Sequence, residues 1–82
     1  MRRSEGAQPA IPEAELKHFQ ETALNAHLAA RAGFVGIASC LLEAARRRAA
    51  RAESAGEPWA AALIREWAAA SEQLRARYEG LE

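Results

Sequence analysis

Apolar residues recur along this chain at alternating steps of three and four. Leu16, Phe19, Ala23, Ala26 or His27, Ala30, Phe34, Ile37, Leu41 and Ala44 form one sustained seam, flanked by Leu24, Leu28, Val35, Leu42 and Ala45. That is the period of an α-helix burying one face. The window from Gly33 to Ala45 is the most apolar and carries a single charge, Glu43. Within it Phe34, Ile37, Leu41 and Ala44 make one stripe, and Val35, Ala38, Leu42 and Ala45 a second beside it. Two adjacent stripes imply a face wide enough to pack against more than one element. The seam then meets Arg46, Arg47, Arg48 and Arg51, whose charges suit the negative end of a helix dipole. In Ser54-Ala55-Gly56-Glu57-Pro58, Gly56 fits the left-handed position after a helix and Pro58 the first turn of the next. A second helix follows, with Trp59, Leu63, Trp67, Ala70, Leu74, Tyr78 and Leu81 on its seam. Arg65, Glu66, Glu72, Gln73, Arg75 and Arg77 occupy its solvated face.

Residues 1–11 hold two arginines, Gly6 and Pro9 and offer little to bury, so they read as a flexible N-terminal arm. Pro12, followed by Glu13 and Glu15, suits a helix start, and residues 12–82 read as a single helical domain. The predicted fold is all-α: an antiparallel helical hairpin, with a long helix over about residues 13–54 and a second over about 58–79. Folding back about Gly56 sets Trp67 near Ala44 and Ala45, Leu74 near Ile37, and Tyr78 near Phe34. Leu16, Phe19, Leu24 and Leu28 are then left uncovered, a patch that monomers rarely tolerate. A second subunit covering them would give a dimeric helical bundle. The small residues Ala29, Gly33, Gly36, Cys40 and Ala44 would let its backbone approach closely. The alternative is a monomeric three-helix bundle bent at Gly33–Gly36, which buries the same residues internally. The unbroken apolar register, with no Ser, Thr, Asp, Asn or Pro at the break, favours the long helix, whereas balanced helix lengths favour three.

Composition narrows the function. The 82 residues are half apolar, with few large anchors among many alanines, so a core is small and association would strengthen it. Eleven basic and eleven acidic side chains cancel, so no net field steers nucleic acid or anionic membrane. The single Cys40 can form no intrachain disulfide, and on the apolar face it is expected to be a buried thiol. No apolar run follows Met1-Arg2-Arg3, and the charge-free run Ala32 to Leu42 is too short to cross a bilayer. A cytoplasmic protein is the expectation.

Glu15 and His18 have the Glu-x-x-His spacing of di-iron carboxylate helices, but Leu16 and Phe19 define the inward face and leave both at its margin. His27, beside the seam, is expected to hydrogen-bond a neighbour. Cys40 lies 13 residues from it, roughly 20 Å along a continuous helix, too far for a nucleophile and its base. Arg46, Arg47, Arg48 and Arg51 could contact an anion or an acidic partner. However, three successive arginines point in three directions, and Glu43, Glu53 and Glu57 lie nearby. No catalytic, metal-binding or cofactor-binding motif emerges, and no small-molecule substrate is implied. The expectation is a non-enzymatic helical interaction module, such as an adaptor, a chaperone or a small inhibitor. It would act as a homodimer, or on a helical partner, through Leu16, Phe19, Leu24, Leu28, Gly33, Gly36 and Cys40. The alternative is a nucleic-acid-associated regulator using Arg46–Arg51 and the basic arm, although few Asn, Gln, Ser or Thr are offered for base contacts.

Overall fold

The computed structural model describes residues 10–78. Three α-helices account for most of them: α1 (Glu13–Arg31), α2 (Val35–Ser54) and α3 (Ala60–Arg77), with no strand among the described residues. The flexible arm expected over residues 1–11 falls mostly outside them, as does Leu81. Ile11, assigned to that arm, instead packs against a buried cluster.

The long helix expected over about residues 13–54 is two helices. The chain leaves α1 through Gly33 at φ +94°, and the Phe34 N–H donates to the Ala29 carbonyl at 2.8 Å while the Gly33 N–H donates to Ala30 at 3.0 Å. These are the paired bonds of a Schellman cap, which satisfy carbonyls that a helix end leaves open. The α2–α3 turn repeats them. Gly56 sits at φ +80°, the Glu57 N–H reaches Ala52 and the Gly56 N–H reaches Glu53, both at 3.0 Å. Ala32-Gly33 and Ala55-Gly56 are therefore the same stop signal used twice. Of the two glycines at the expected bend only Gly33 makes it. Gly36 lies in the first turn of α2 with open space where a Cβ would stand.

None of the helices begins with a side-chain cap: Pro12, Phe34 and Trp59 occupy those positions without one. Alanine's high propensity, charges suited to the dipole and packing must hold them instead. Glu13 and Glu15 open α1, while Arg31, Arg51, Arg75 and Arg77 lie in last turns.

Two turns fold the helices up, down and up, so α3 runs alongside α1 in the same direction. One buried cluster, Phe19 with Ala45, Ala49 and Leu63, sits at the end where α1 and α3 begin, with Trp59, Ile64 and Trp67 packed on it. The other joins Ala26, Ala30, Ala38, Leu42 and Leu74, with Val35, Leu41 and Tyr78 against it. Alanine predominates among these buried residues, and its short side chain lets helix axes approach to about 8 Å. The indole Nε1 of Trp67 donates to the Leu42 carbonyl at 2.9 Å, tying α3 to α2. Phe19, expected to need a second chain, is thus covered from within by Ala45 and Ala49 of α2 and Leu63 of α3.

Candidate interaction surface

Much of the bulk that the interior lacks lies outside. Leu24, Leu28, Phe34 and Ile37 are 57, 47, 58 and 53% exposed. On α1 the buried positions are Phe19, Ala26 and Ala30. Leu24 stands two residues before Ala26, and Leu28 two after it. A two-residue step swings a side chain by about 200°, so both leucines face away from the core. Phe34 and Ile37 flank the start of α2, beside the α1–α2 turn.

The seven residues expected at an interface are therefore divided. Leu24 and Leu28 are outside, Leu16 is half-buried and Phe19 is in the core. Gly33 and Gly36 are exposed, and among the described residues no atom would meet a Cβ at either within 4 Å, so no described backbone passes over them. Cys40 corrects the expectation of a buried thiol, because it is exposed. Ala38 and Leu42, two positions to either side, are buried, which turns Cys40 to the outer side of α2.

The arginine cluster is largely paired. Arg46 Nε lies 3.0 and 3.1 Å from the two Glu43 carboxylate oxygens, and Arg47 Nε is 3.5 Å from the same carboxylate. Hydrogen bonds from Arg46 chiefly hold the Glu43 carboxyl below its ordinary value. Arg48 reaches across to α1: its Nε and Nη2 donate to the two oxygens of Glu15 at 2.7 and 2.9 Å. Those hydrogen bonds lower the Glu15 carboxyl, and the same pairing raises Arg48. Arg51 has no ion pair among the described residues, but the shallow depression beside it also contains Glu15, Glu57 and Trp59. Carboxylates on the same rim offset the attraction an anion would feel there. Glu15 was missed as a partner because it lies 33 residues from Arg48 and faces it only once the chain turns at Gly33.

His27 has the neighbour expected of it. The Tyr78 hydroxyl lies 3.3 Å from its Nε2, with the rings edge to face at a centroid distance of 5.4 Å. This contact stands beside an open groove of about 590 Å³ between α1 and α3, lined by Ala23, Ala70, Gln73 and Arg77 among others. Its lining alternates Ala23, Ala70, Leu74 and Ala76 with the polar side chains of His27, Gln73 and Arg77. Among the described residues no three His, Cys, Asp or Glu side chains gather as metal ligands, and no helix is long and apolar enough to cross a membrane. No protein-family model matches the chain, and neither does any curated protein or solved structure.

Proposed function

We propose that this chain is a non-enzymatic helix-docking module, acting as an adaptor, chaperone or inhibitor through the outer face of α1 and the start of α2. The observation that carries the reading is the reversal of size between inside and outside. The core is built mostly from alanine, while Leu24, Leu28, Phe34 and Ile37 are held about half in water. Burying a leucine or phenylalanine side chain stabilises by roughly 1.5–3 kcal/mol, a gain that folding leaves largely unused at these four positions and that a docked helix would collect. The pairing of Arg46, Arg47 and Arg48 with carboxylates supports a protein partner over phosphate.

A photo-reactive amino acid at position 24 or 37, compared with one at Glu72 on the solvated face of α3, tests the reading in cells producing the protein. Discrete protein adducts are expected from positions 24 and 37 and not from 72. Adducts from 72 alone, or none from 24 and 37, would refute it.

A further inference from the structure

The outer face of α1 is self-complementary. Glu21, Leu24, Leu28 and Arg31 follow one another at steps of three, four and three, the spacing of a coiled-coil seam, and all four are exposed. The order reads as an inverted repeat: two leucines at the centre, an anion one step before and a cation one step after. Neither Glu21 nor Arg31 has an ion pair among the described residues.

Resting on the helix-docking reading above, we infer that the occupant of this face is a second copy of the same chain, its α1 antiparallel to the first and centred at the level of Ala26. In that register Leu24 of each chain meets Leu28 of the other, and Glu21 of each meets Arg31 of the other. One two-fold axis generates all four layers, so the contact closes on itself and does not propagate into a filament. The parallel arrangement fails on charge, because it sets glutamate against glutamate and arginine against arginine. Antiparallel helices also oppose their dipoles favourably. Only α1 contributes, over about three turns, because Arg31 is the last residue of the helix. Such a contact falls in the small, transient size class, below roughly 1,200 Å² in total, so the dimer is weak and exchanges readily.

Charge reversal tests the register. Glu21→Arg makes both polar layers Arg–Arg, and Arg31→Glu makes both Glu–Glu. Turning two exposed opposite-charge layers into repulsive ones should weaken the dimer by about tenfold or more. Sedimentation equilibrium at up to about 1 mM is the assay, with circular dichroism to confirm that each variant is folded. The wild-type chain should dimerise, and each reversal alone should show a dissociation constant about tenfold higher or more. An equimolar mixture of the two reversals should associate again, because only the mixed dimer restores opposite charges in both layers. A wild-type chain monomeric at 1 mM overturns the second copy while leaving the helix-docking face open to another protein. A dimer indifferent to both reversals, or singles that the mixture fails to rescue, overturns the register. A dimer that also survives Leu24→Gln with Leu28→Gln removes this inference and the docking face together.

Discussion

Replacing Gly33 by alanine separates two architectures by the sign of its effect. In a continuous helix the change would stabilise, since glycine costs about 1 kcal/mol relative to alanine in a helix interior. In the bent chain Gly33 holds φ +94°, where an L-residue costs roughly 1–2 kcal/mol. Among the described residues no atom lies within 4 Å of the added Cβ, so the backbone term stands alone. The lost flexibility of the unfolded chain returns about 0.4–1 kcal/mol. The net expectation is a destabilisation of up to about 1.5 kcal/mol, or several degrees in Tm for a domain of this size. Gly36→Ala is the internal control. That residue is helical, its Cβ position is equally open, and its substitution should stabilise by up to about 1 kcal/mol. Urea denaturation followed by helical circular dichroism measures both. If Gly33→Ala stabilises as Gly36→Ala does, the turn between α1 and α2 is wrong and a long helix takes its place.

Two further outcomes follow from the contacts between helices. Glu15→Gln removes the charge that Arg48 grips, and at neutral pH should cost about 0.5–1 kcal/mol, as befits a partly exposed pair. Because its hydrogen bonds with Arg48 hold the Glu15 carboxyl below the usual carboxylate range, the pair's contribution is fully present above that range. It is lost as pH falls through the lowered value, so the variant and the parent should converge in acid-range denaturation curves, and a gap that persists would show that charge is not its source. Trp67→Phe keeps an aromatic ring but abandons the hydrogen bond to Leu42, and should cost about 1–2 kcal/mol in chemical denaturation. A change below about 0.3 kcal/mol would mean that this bond does not join α3 to α2.

Helix periodicity was legible in the sequence because each helix presents an apolar face to the same core, and the turn at Gly56 was legible because Pro58 follows it. The turn at Gly33 was hidden by that same periodicity. Only Ala32, Gly33 and Phe34 separate α1 from α2, too few to interrupt the apolar register. The missing N-cap residue is no guide to continuity, since none of the three described helices begins with a side-chain cap. The repeated Ala-Gly pair was the usable signal. The bend was legible only as the alternative to a long helix, and in the long helix Phe19 lacks a partner and Glu15 cannot meet Arg48. Leu24 and Leu28 were recognised as candidate contacts, but the alanines beside them, Ala26 and Ala30, were not recognised as the buried positions. Side-chain size usually marks the inward face of a helix, and α1 reverses it over its second half.

That reversal is tested most directly by the unfolding free energy of the chain carrying both Leu24→Gln and Leu28→Gln, measured at a few micromolar, where a weak dimer is dissociated. Leucine and glutamine have nearly equal helix propensity, and both sites are about half exposed, so a loss of no more than about 1 kcal/mol is predicted. A loss of about 4 kcal/mol or more, the scale of emptying two core positions, would place the leucines inside the fold and contradict the account.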